Sequence, residues 1–124
     1  RGNDTDLIEG IESVEVLWET FGTDEAVSKG DLIKSVALAD GYVVFSTADT
    51  FREGNALIAA KDAYGNILWS WHLWLTDDTI REQEYPNGAG VFMDRNLGAT
   101  SCEPNTVGAL GLFYQWGRKD PFVA

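Results

Sequence analysis

Cys102 is the only cysteine, so no disulfide can form within the chain and a cysteine-stapled scaffold is excluded. A single histidine, His72, leaves the usual nucleophile, base and acid sets without a second imidazole to choose from. Zinc or haem at His72 would need further ligands converging on it, and the sequence offers none nearby. Calcium at Asp77 and Asp78 is a weak reading, because neighbouring loop acids are usually solvated. No cofactor and no metal is therefore expected. Basic residues are scarce, nine against twenty acidic ones, and the net charge of −11 opposes phosphate backbones and anionic lipid surfaces. The longest apolar run, starting at Ile67, is roughly nine residues and is broken by Ser70 and His72; a membrane helix needs about 20. No transmembrane segment is expected, and no stretch of useful length has helical periodicity.

Aromatic residues, in contrast, are plentiful: five Trp, six Phe and four Tyr. They sit in short runs separated by turn signals, which indicates strands. Residues 1–12 read as an acidic leader. Strands are predicted from Val14 to Thr20, Leu32 to Leu38, Tyr42 to Thr47, Ala56 to Lys61 and Ile67 to Trp74. Asp40-Gly41 is a favoured hairpin turn pair. Asp62-Ala63-Tyr64-Gly65-Asn66 supplies the turn of a second hairpin. This pattern predicts an all-β fold, a β-sandwich over residues 13–77. Its expected core is Val16, Trp18, Ile33, Val43, Phe45, Leu57, Ile58, Trp69 and Trp71. A polar linker follows over 78–90, then a loop-rich segment over 91–124 with a short strand from Val91. That segment ends without a closing element, as the opening of a truncated second module would.

The run "ILWSWHLW" decides which residues are candidates for contact. Read as a strand, it places Ile67, Trp69, Trp71, Leu73 and Leu75 on one face. Leu68, Ser70, His72, Trp74 and Thr76 fall on the other. The first face is uniformly apolar and reads as core. On the second, Trp74 beside His72 forms the candidate pair for stacking on a sugar, with Tyr114 and Trp116 as further candidates. No nucleophile elbow, phosphate loop or dinucleotide fingerprint is present, and no catalytic residue is assigned. The clusters Asp94-Arg95-Asn96 and Arg118-Lys119-Asp120 read as ion pairs that fix loops against the core. Contact with a partner is the alternative.

Three stretches, GNALIAAKDAYGNILWSWHLWLTD, VFMDRNLGA and GLFYQWGRKDPF, resemble surface-protein and fimbrillin-associated modules of Bacteroidetes. The resemblance runs from about Val14 to Phe122. It implies an immunoglobulin-like or fimbrillin-like antiparallel β-sandwich, followed by the start of a C-type-lectin-like module. In that module's pattern, Asn96-Leu97 and Tyr114-Gln115-Trp116 occupy the matching places. The implied protein is exported to the cell surface, outer membrane or fimbrium. Its role would be structural, adhesive or assembly-related, with protein partners or neighbouring subunits. Assembly by strand donation, with maturation by cleavage near an arginine, is part of the same implication; Arg1 departs from its simplest form, in which the mature chain begins after the arginine. Two other readings are kept: a carbohydrate-binding module using exposed aromatics, with glycans as partners, and a non-catalytic fragment of a larger enzyme.

Overall fold

A computed structural model describes residues 7–123, and the chain is all-β with antiparallel pairing throughout. The first half of the leader predicted over 1–12 lies outside the described residues. The centre is a three-stranded sheet of β1 (Ser13–Thr20), β4 (Gly54–Lys61) and β5 (Ile67–Leu75), in the order β1-β4-β5. Two hairpins accompany it, β2 (Ile33–Ala39) with β3 (Tyr42–Thr47), and β6 (Glu82–Glu84) with β7 (Val91–Met93). One 3-10 turn, Val107–Ala109, is the helical element among the described residues.

Both predicted hairpins form for the predicted reasons. Asp40 and Gly41 have φ of 51° and 81°, the pair of positive values that a two-residue turn between twisted strands requires. At the β4–β5 turn, the Asp62 carboxylate accepts from the backbone N–H groups of Tyr64 and Asn66.

Strand β4 runs through the middle of the sheet, and residues 54–60 are all buried. Opposed residues in the register share a face, so the pairs sort its two sides. On one side lie the rows Glu19–Ala56–Leu73, Val16–Ile58–Trp71 and Val14–Ala60–Trp69. Phe21, Leu32 and Ile33 pack against this side at Ala56, with Val16, Val27, Leu73 and Leu75 around them. The buried Glu19 carboxylate holds the covering segment in place by accepting from the N–H groups of Gly30 and Ile33, at 2.8 and 2.6 Å. On the other side lie Thr20–Asn55–Trp74, Trp18–Leu57–His72 and Glu15–Ala59–Ser70.

Several core expectations change with this architecture. Ile33, Leu57 and Ile58 are buried as predicted. Trp18 is half-buried and lies on the face opposite Val16, because a bulge at Leu17 shifts the register by one residue. Phe45 is 41% exposed and Val43 only half-buried. The β2–β3 hairpin packs at its base through Ile33 and is largely exposed beyond it. Trp69 and Trp71 are half-buried rather than enclosed. A second bulge, at Leu68, pairs Ile67 with Lys61 and so moves Ile67 to the side of Ser70 and His72.

The polar stretch 78–90 also contains a strand that its pattern does not announce. Glu82-Gln83-Glu84 carries no apolar alternation, yet it pairs fully with Val91–Met93. A turn at Tyr85-Pro86-Asn87-Gly88 joins them, with the Gly88 N–H donating to the Tyr85 carbonyl at 3.0 Å.

Candidate functional site

The second face of the sheet carries polar side chains in the middle of apolar strands, and such groups must find partners when buried. Asn55 is fully buried in β4. Its Nδ2 donates to the Gly98 carbonyl at 2.7 Å, and its Oδ1 lies 2.9 Å from His72 Nε2. A carbonyl only accepts, so Gly98 turns the amide nitrogen of Asn55 towards itself and the amide oxygen towards His72. Nε2 of His72 then carries the proton. The Trp18 ring lies beside the imidazole, with centroids 6.4 Å apart.

Trp74, one register row away, donates from its indole nitrogen to the Ala99 carbonyl at 3.1 Å. Ser70 is buried further along β5. Its hydroxyl donates to Asp120 at 2.6 Å and accepts from Lys119 at 2.6 Å, while Lys119 also donates to the Ser70 carbonyl at 2.7 Å. Lys119 lies over the Trp69 ring, 4.9 Å from its centroid. The lysine thus satisfies a carbonyl of β5, a strand at the margin of its sheet, where unpaired backbone groups would otherwise invite another chain. The segment from Arg95 to Asp120 therefore lies against the sheet, held by side chains from β4 and β5.

Arg95 secures the entry to that segment. Its side chain is 2% exposed and pairs with Asp94 at 2.9 Å and Asp78 at 3.5 Å. The hydrogen bond from Arg95 holds the Asp94 carboxyl below its ordinary value and raises the guanidinium in turn. Burial pushes Asp120 up, but hydrogen bonds from Lys119 and Ser70 outweigh it and hold the carboxyl down. Both charged clusters form ion pairs, as the structural reading of the sequence expected.

The four candidate contact residues divide into two pairs. His72 and Trp74 belong to the joint just described, each half-buried and hydrogen-bonded within the chain. Tyr114 and Trp116 lie on a separate loop. Phe113 and Phe122 close that loop by exchanging backbone hydrogen bonds, and the Arg118 N–H donates to the Gln115 carbonyl across its tip. Arg118 stacks on the Phe122 ring, 4.0 Å from its centroid. Trp116, at the tip, is 100% exposed. Tyr114 lines an open groove of about 510 Å³ with Phe92, Met93, Leu97 and Leu112, and burial raises its hydroxyl above the ordinary value. Among the described residues, no group of three or more His, Cys, Asp or Glu is gathered to hold a metal.

Sequence reasoning missed Asn55, Ser70 and Gly98 as members of this joint. One signal was available: Asn55 is the single polar side chain in the run GNALIAA, and an amide inside an apolar strand requires a partner from elsewhere.

Burial holds His72 below the ordinary imidazole value of 6.5, with Asp120 pulling weakly the other way. The unfolded chain therefore takes up a proton at higher pH than the folded one does. This group leaves stability unchanged well above pH 6.5 and lowers it as pH falls through that value. The paired carboxylates act in a lower window, beneath their unfolded values of 3.8 to 4.5, where protonation removes what their partners contribute. The melting temperature should thus decline on mild acidification, and His72→Gln, which keeps a donor for Asn55, should flatten that decline. A slope that persists in the variant would place its origin elsewhere.

Set against protein-family models, curated proteins and solved structures, the chain matches none of them.

Proposed function

We propose that this chain is a non-enzymatic module of an exported cell-surface protein, of immunoglobulin-like or fimbrillin-like kind, with a structural or adhesive role. The observation that carries the reading is the convergence of its three sequence motifs on one internal joint. The first motif supplies Asn55 from GNA and Ser70, His72 and Trp74 from WSWHLW, the second supplies Gly98 and Ala99 from NLGA, and the third supplies Lys119 and Asp120 from GRKD. Their polar atoms are used on one another, and no buried side-chain nitrogen or oxygen among the described residues lacks a partner. Such a set favours holding a shape over presenting a reactive group. No helix among the described residues is long and apolar enough to cross a membrane.

The contact surface in this reading is the loop bearing Phe113, Tyr114 and Trp116, which are 63%, 46% and 100% exposed. Clustered aromatic residues on a tied loop offer a large apolar area at low ordering cost. Light scattering should show concentration-dependent association of the chain, and Trp116→Ser should weaken it. Thermal stability should change by no more than about 0.5 kcal/mol, since nothing in the fold leans on an exposed tip. A chain that stays monomeric at every concentration, or a variant that associates like the parent, would overturn this role for the loop.

A further inference from the structure

A second concavity lies away from the aromatic loop, where the segment after β1, the approach to β4 and the loop of residues 100–108 come together. It has a volume of about 400 Å³, within the range of about 300–1,000 Å³ usual for small-molecule sites. Its lining is rich in hydroxyls: Thr23, Thr100, Ser101 and Thr106, with Arg52 and Glu53 beside them. We propose that this cleft binds a neutral saccharide unit.

The charges argue for a neutral ligand. Arg52 is engaged by Glu25 through two parallel hydrogen bonds of 2.8 and 2.6 Å, which leaves no free cation to attract an anion. Glu53 is the remaining acid, and one of its oxygens accepts from Thr76 at 2.7 Å. A chain of net charge −11 further disfavours anionic ligands.

The hydrogen-bonding pattern argues for a polyhydroxylated one. Thr23 and Ser101 accept from the N–H groups of Glu25 and Glu103, so each retains a proton to donate. Thr106 donates to the Glu103 carbonyl and retains lone pairs to accept. The Thr100 hydroxyl forms no hydrogen bond among the described residues. The cleft therefore offers both free donors and free acceptors, as the hydroxyls of a sugar require. Phe21 is the buried floor beneath the cleft, covered by Arg52, which stacks 3.7 Å from its ring centroid.

The inference goes beyond the proposed surface role and does not depend on it, because binding here needs no association of chains. Saturation-transfer difference NMR with a panel of neutral mono- and disaccharides at millimolar concentration provides the test. At least one sugar should receive saturation, and the amide resonances of Thr23, Thr100 and Ser101 should shift in the labelled chain. Thr100→Val is nearly isosteric and removes a hydroxyl the fold does not use, so it should weaken binding about tenfold with the melting temperature unchanged. Glu53→Gln should weaken it as well. No response from any sugar would overturn the proposal, as would shifts gathered at Trp116 or an affinity untouched by Thr100→Val. Light scattering of the same samples reads the association of chains separately.

Discussion

Replacing Asn55 by alanine should destabilise the chain by about 3–4 kcal/mol, a large share of what holds a domain of this size together. The side chain is fully buried and joins β4 both to His72 on β5 and to the Gly98 carbonyl on the covering segment. Alanine removes both bonds at once. It leaves a buried carbonyl oxygen and a half-buried imidazole N–H without their partner, and each orphaned group costs about 1–3 kcal/mol. Chemical denaturation of the purified variant measures the change. Hydrogen exchange should place the loss of protection in the loop around Gly98 as well as in β4. A loss below about 1 kcal/mol would mean that water replaces the amide, and that the joint is not what fixes the segment to the sheet.

Gly98→Ala should cost about 3 kcal/mol, reaching the same joint from its other side. Gly98 has φ of +80°, and a Cβ there would lie 2.7 Å from Leu112 Cγ and 3.0 Å from Asn55 Oδ1. Gly65 provides the control, with φ of +83° and nothing within 4 Å of its added Cβ. Gly65→Ala therefore carries only the backbone penalty, about 1 kcal/mol. The difference between the two variants isolates the packing part of the effect. Equal losses would show that the covering segment shifts freely away from the sheet, and the joint would then be a loose contact.

The two predicted hairpins illustrate what was legible without a structure. Asp40-Gly41 and the run from Asp62 to Asn66 are local signals, set by positive φ and by short side chains bonding their own backbone, so neighbours in sequence suffice to read them. Alternation along Trp69 to Thr76 likewise sorted Trp69 and Trp71 from His72 and Trp74 correctly. It failed at Ile67, and the expected core placement of Trp18 beside Val16 failed likewise, because a bulge inserts one residue without any mark in the composition. The strand Glu82–Glu84 was missed for a related reason: its pairing comes from β7, and its own residues carry no apolar period.

His72 and Trp74 show where local reading ends for the candidate site. Their types suit ligand contact, and nothing near them in sequence says otherwise. Their partners are Asn55, 17 residues away, and Ala99, 25 residues away. The sequence by itself determined the all-β class, the hairpin turns, the charge that disfavours anionic partners and the unusual aromatic supply. The tertiary structure alone decided that residues 95–120 close over one face of the sheet, and that Trp116 stays exposed while Trp74 does not. Turns and alternation arise from steric preferences within a few residues. Covering a face depends on whether distant polar groups can satisfy one another, and that is settled only when the chain has brought them together.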